Sequence, residues 1–140
     1  MNIHALFNNA GMLEDRYTAA VILVDMIIYF ALVFNVGRAR IKFKVQAPST
    51  DGPPEFRRVY RTQMNTMEQL MLHLPLLWLA AVSIGDSYAA LLGCLWIVGR
   101  VLYARDYYKA AKGRQRGFFI ALFSNVVLLI SVAAGIVAAF

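Results

Sequence analysis

The chain has 140 residues, 60% of them apolar, and a positive mean hydropathy. Such a composition leaves too little polar surface to coat a soluble domain, so the sequence reads as an integral membrane protein built as one unit. A formal net charge of +6 would suit nucleic acid, but the basic residues crowd two connections between apolar runs, which is a pattern of membrane topology.

Four apolar runs lie near 17–36, 67–85, 87–104 and 117–140. Each is about long enough to cross roughly 30 Å of hydrocarbon at about 1.5 Å per residue. The fold class is therefore all-α: an integral membrane four-helix bundle, one domain over 1–140, with helices at about 14–40, 54–84, 87–112 and 116–139. The first run follows mixed polar residues and lacks a small-residue cleavage site, so it is expected to be a retained span and not a signal peptide.

Helix one is expected to start near Glu14 and Asp15, whose charges suit the positive end of a helix dipole. Asp25 falls in its apolar middle. An acid there costs about 2.5–3.5 kcal/mol on insertion scales, so it must face the bundle and find a partner, which the sequence does not name. The run from Ala47 to Pro54 is dense in turn formers and marks the one substantial loop. Pro53 and Pro54 suit the first turn of helix two, where backbone nitrogens need no partner. Pro75 lies deep in that helix and predicts a bend.

Helix three is expected to begin near Ser87 and meet no breaker before Gly113. Cys94, the single cysteine, cannot form an internal disulfide and reads as a packing residue beside Gly93. In helix four, Ser131 and Gly135 form a small-xxx-small pair that would allow close helix approach.

Arg38, Arg40, Lys42, Lys44, Arg57, Arg58 and Arg61 crowd the first connection, and Arg105, Lys109, Lys112, Arg114 and Arg116 the third. The second, around 85–87, has no basic residue. The positive-inside rule then places loops one and three in the cytoplasm and both termini on the opposite side; a bacterial inner membrane is the expected setting, and a eukaryotic endoplasmic reticulum would satisfy the same charge asymmetry.

The chemistry-bearing residues sit at the basic end. At roughly 100° per residue, Arg61, Asn65 and Glu68 fall at about 0°, 40° and 340°, one narrow stripe, while Gln63 points elsewhere. Tyr103 and Tyr107 are one turn apart on helix three with Arg100 near, and Arg114 shares their face if that helix persists. Two polar stripes at the same end of adjacent spans can wall a hydrophilic cleft. Plainer readings exist for each: an Arg61–Glu68 salt bridge with Asn65 bonding across helices, an interfacial aromatic belt for the tyrosines, and snorkelling for Arg40 and Arg114. His4 and His73 have no metal-ligand spacing, and His73 reads as a hydrogen-bonded core residue; no metal is expected.

The segments GPPEFRRVYRTQMNTMEQ, GRVLYARDYY and GRQRG, in this order and with these gaps, resemble the MAPEG family, membrane-associated proteins in eicosanoid and glutathione metabolism. The family includes microsomal glutathione transferases and leukotriene C4 synthase. The likeness runs from about Arg38 to Arg116.

It implies a homotrimer holding glutathione between neighbouring subunits near the cytosolic face. Carried over by position, Arg61, Asn65 and Glu68 would hold the tripeptide's charged and amide groups, and Tyr103 and Tyr107 would line the pocket. Arg40 and Gln63 would reach a glutathione of the adjacent subunit, and Arg114 would bind the thiol and stabilise its anion as the catalytic residue.

Gln69 and Ile41 stand where leukotriene C4 synthase has a tyrosine and a second arginine, which favours a broader bacterial-type glutathione transferase. The implied reaction is conjugation to apolar electrophiles, with peroxidase activity on lipid hydroperoxides. The alternative is a non-catalytic protein of the same family that binds and presents lipid.

Overall fold

The computed structural model describes residues 14–140; His4 and the polar segment around it lie outside the described residues. Among the described residues four long helices follow one another: α1, Arg16–Phe43; α2, Pro54–Ser83; α3, Asp86–Lys109; and α4, Gln115–Ala138. A single 3-10 turn, Ala111–Arg114, joins α3 to α4.

Helix α1 runs past the expected end at Arg40, because nothing in Ile41–Phe43 breaks it. It stops where Lys44 adopts a left-handed conformation (φ 56°). Val45 N–H then reaches back to Arg40 O at 3.1 Å and Lys44 N–H to Ile41 O at 3.4 Å, the paired bonds of a Schellman closure. Val45 seals the turn against Ala39 and Phe56.

Helix α2 opens on Pro54 after Pro53 and continues through Pro75. Helix α3 stops at Lys109, short of the expected 112. Ala110 is extended (φ −153°, ψ 143°), and the chain folds back so that Gly113 packs on Asp106; a β-carbon there would stand 2.9 Å from Asp106 O.

Among the described residues three stretches are long and apolar enough to cross a membrane: Arg16–Phe43, Asp86–Lys109 and Ala111–Ala138. Helix α2 is not among them, contrary to the expectation of four apolar spans. Glu68, Gln69, His73 and Pro75 interrupt its apolar run. At 30 residues it is still about 45 Å long, and it packs against all three other helices.

The bundle has an apolar core, around Leu77, Ala80, Trp96 and Leu128, and an apolar exterior as well. Large apolar side chains point outward, among them Phe30, Phe34, Met71 and Leu91, while Asp25, His73, Arg100 and Asn125 are buried. Asp25 finds its partner in His73, with Nε2 3.6 Å from Oδ2. His73 Nδ1 lies 2.7 Å from Asn125 Oδ1, so that oxygen, which only accepts, fixes the proton on Nδ1. Asn125 Nδ2 donates to Gln69 Oε1 at 3.5 Å. The His73 ring also stacks on Trp96 at 4.2 Å with an interplanar angle of 6°. His73 is thus a hydrogen-bonded core residue that ties α1, α2, α3 and α4 together.

The closest backbone approach joins α3 to α4. A β-carbon on Gly117 would stand 2.2 Å from Tyr103 N and 2.4 Å from Gly99 O, and one on Gly99 would stand 2.6 Å from Ala121 N. The expected contact at Ser131 and Gly135 is looser: a β-carbon on Gly135 would meet only side-chain atoms, at 3.7 Å or more, and Ser131 instead hydrogen-bonds Tyr88 at 2.7 Å. Because backbone cannot yield as a side-chain tip can, Gly117→Ala should cost about 3 kcal/mol and lower the thermal unfolding midpoint in detergent. Gly135→Ala should leave that midpoint within error of the parent protein.

Candidate functional site

The crossing at Gly99 and Gly117 sets the basic ends of α2, α3 and α4 around a hollow of about 290 Å³. Arg61, Met64, Asn65 and Glu68 of α2 form one wall; Tyr103, Tyr107 and Arg114 form the other. Six of the nine positions singled out from the sequence, counting Arg100, therefore meet in one place: Arg61, Asn65, Glu68, Tyr103, Tyr107 and Arg114.

Arg114 arrives by a route the periodicity does not contain. It does not lie on a continued α3; the 3-10 turn carries it back over the end of that helix. Its Nη1 donates to Tyr107 Oη at 3.3 Å, and its Cζ lies 5.1 Å from the Tyr107 ring centre. Tyr107 in turn meets Tyr103 edge to face at 5.5 Å. With its oxygen accepting from Arg114, the Tyr107 hydroxyl keeps its own proton for another acceptor.

The α2 wall is fixed from behind by Arg100, buried to 1% exposure. Its Nη1 and Nη2 both donate to Asn65 Oδ1 at 3.2 Å, and Nη2 donates to Thr66 Oγ1 at 2.6 Å. The guanidinium also lies 4.3 Å from the Tyr103 ring centre, a cation–π contact that needs no carboxylate. Held by its oxygen, Asn65 turns Nδ2 toward Glu68 Oε2 at 3.4 Å.

Among the described residues no ion pair within 4.0 Å joins Arg61 to Glu68; the three present are Arg58–Glu55, His73–Asp25 and Arg105–Asp106. The internal salt bridge is therefore not formed. Two guanidinium groups, of Arg61 and Arg114, share the hollow with one carboxylate, Glu68, while Arg100 lies behind the wall, and the walls can take a ligand that carries more than one negative group and a single ammonium.

Arg40 and Gln63 lie apart from the hollow. Arg40 Nη1 donates to Ser49 O at 2.8 Å and Val45 O at 3.4 Å, and its guanidinium sits over Phe56 and Tyr60. Gln63 Nε2 donates to Tyr29 Oη at 2.7 Å. A second hollow of about 350 Å³ shares Asn65, Tyr103 and Arg114, with Phe118 and Phe119 of α4 on its apolar side.

From the sequence, Arg100 stands out only as a neighbour of Tyr103. Its place three residues before Tyr103, inside an apolar run, was the available signal that it had to be satisfied within the bundle. Thr66 and Asn125 gave no such signal, since small polar residues are common in membrane helices.

Residues 18–134 match the MAPEG family. An uncharacterized protein of Synechocystis is 44% identical over 117 residues, covering 84% of this chain and 85% of that protein. Human microsomal glutathione S-transferase 2 is 41% identical over 112 residues, 80% of this chain and 75% of the relative. Bovine leukotriene C4 synthase is 33% identical over 127 residues, 91% of this chain and 85% of the relative. With a family match over most of its length and relatives of this similarity, the chain belongs to the MAPEG family.

Proposed function

We propose that the protein is a membrane glutathione transferase that binds glutathione as its thiolate and conjugates it to apolar electrophiles. The observation that carries this reading is the pairing of Arg114 with Tyr107 on a hollow whose Arg61 and Glu68 are left unbridged. Glutathione has two carboxylates and one ammonium, which complement Arg61 and Glu68 in sign. Asn65, locked by Arg100, presents an amide of fixed direction to the peptide.

An ordinary thiol of pKa about 8.5 is only a few per cent ionised at neutral pH. Lowering it to about 6.5 takes about 2.7 kcal/mol of differential stabilisation. A charge-assisted hydrogen bond from a fixed guanidinium contributes about 1.5–3 kcal/mol, so Arg114 can supply nearly all of it without a general base. The thiolate then attacks the electrophile and forms a carbon–sulfur bond as the leaving group departs. With a lipid hydroperoxide, the thiolate attacks the terminal peroxide oxygen, releasing the alcohol and leaving a glutathione sulfenic acid, from which the thiol of a second glutathione displaces water to give the disulfide. The hollow bounded by Phe118 and Phe119 lies against Arg114 and is where an apolar electrophile would enter from the lipid.

A single subunit leaves the hollow open on one side. In the proposed homotrimer the adjacent subunit closes it and contributes Arg40 and Gln63, each of which keeps polar atoms beyond its contacts within the chain. The crowding of basic residues in the first and third connections supports cytoplasmic placement of those loops with both termini opposite, and the likeness to a Synechocystis protein supports a bacterial inner membrane.

Arg114→Ala should abolish the ultraviolet band of bound thiolate and lower kcat for a chlorinated nitroaromatic by about a hundredfold or more, the scale of losing one anion-stabilising donor. Glutathione affinity should fall less than tenfold, and the rising limb of the pH–rate profile should move from about 6.5 toward about 8.5. Unchanged turnover would remove Arg114 from the chemistry, and absence of glutathione binding to the parent protein would favour the lipid-presenting alternative. Glu68→Gln should weaken glutathione binding about tenfold or more, yet leave the affinity for N-acetylglutathione, which has no ammonium, nearly unchanged in calorimetric titration.

A further inference from the structure

A larger hollow, of about 470 Å³, opens on a different face of the same basic end. Asn35, Arg38 and Lys42 of α1 line it with Glu55 and Val59 of α2 and Tyr108 of α3. Arg38 and Lys42 are four residues apart and share a helix face. Neither takes part in an ion pair within 4.0 Å among the described residues, and Glu55, the one acid on the wall, is 3.6 Å from Arg58.

The same face of α1 continues as an apolar track. At roughly 100° per residue, Val24, Ile27, Ala31 and Phe34 fall with Arg38 and Lys42 inside an arc of about 80°. Val24, Ile27 and Phe34 are 41%, 58% and 68% exposed. Arg40 points about 160° away from Lys42 on the same helix, so this face is distinct from the one assigned to glutathione. Basic side chains at a helix C-terminus complement its dipole, but the dipole does not account for a hollow beneath them or for an apolar track leading into it.

We propose that this hollow binds an anionic phospholipid, with Arg38 and Lys42 on the phosphate and an acyl chain along the track from Phe34 to Val24. Asn35 and Tyr108 supply neutral hydrogen-bonding groups for the headgroup, and Ala39 and Phe43 give the hollow its apolar floor. Phe34 lies one turn below Arg38, the step at which a phospholipid changes from headgroup to hydrocarbon. Basic pockets between membrane helices on the positively charged side are suited to such headgroups.

Native mass spectrometry of the full chain in neutral detergent, titrated with phosphatidylglycerol and with phosphatidylcholine, tests this. The parent protein should retain phosphatidylglycerol preferentially. The double variant Arg38→Gln/Lys42→Gln should weaken that retention about thirtyfold, the effect of two basic side chains, without altering phosphatidylcholine. Arg38→Lys/Lys42→Arg should hold the lipid within about threefold of the parent, and Lys112→Gln/Arg116→Gln should match it. Phe34→Ser, with both charges intact, should also lower retention severalfold. Equal retention of the two lipids, an equal loss in the Lys112/Arg116 variant, or unchanged retention in Phe34→Ser would overturn the proposal. Displacement of the bound lipid by millimolar glycerol phosphate would overturn it too, by showing that the phosphate alone is held.

Discussion

Positive charge that the chain itself leaves without carboxylate partners organises the basic end of this bundle. Arg100 is buried with no acid within ion-pair distance among the described residues, held by Asn65, Thr66 and the ring of Tyr103. Arg61 and Arg114 stand at the rim of the same hollow, with Glu68 as the one opposing charge. Neutral oxygens take the Nη hydrogen bonds of Arg100 and the Tyr103 face lies against it without cancelling its charge, while its buried Nε has no partner among the described residues. The positive potential therefore persists at the hollow, and an anionic ligand gains from it there.

The helix packing serves that arrangement. Gly99 and Gly117 let α3 and α4 touch backbone to backbone, which brings the start of α4 beside Tyr103. Gly113 lets the connecting turn close on Asp106, so Arg114 lands over Tyr107. Deeper in the bundle the Asp25–His73–Asn125–Gln69 chain pins α2 to α1 and α4. Helix α2 carries two of these four groups, His73 and Gln69, as well as Arg61, Asn65 and Glu68, which explains its failure to read as an apolar span.

What the sequence made legible was whatever periodicity carries. A 3.6-residue repeat placed Arg61, Asn65 and Glu68 on one face and Tyr103 below Tyr107, and they line one hollow. The all-helical class and the membrane setting followed from composition. Contacts between residues far apart in the chain were not legible: the partner of Asp25 is 48 positions away, and Arg100 reaches back 35 to Asn65. The turn at 110–114 was missed because none of its residues is a strong breaker apart from Gly113, and the helix ends through close packing on Asp106. Ser131 and Gly135 have the spacing of a close contact without its geometry, because spacing does not say which helix lies opposite.

The central claim is that this cluster of guanidinium groups turns a bound thiol into its anion. Proton release on binding measures that directly: calorimetric titration of glutathione at pH 7.5 in buffers of different ionisation enthalpy counts the protons given up. A thiol moved from about 8.5 to about 6.5 should release roughly 0.8 proton per glutathione bound. Binding that releases no proton would contradict the account.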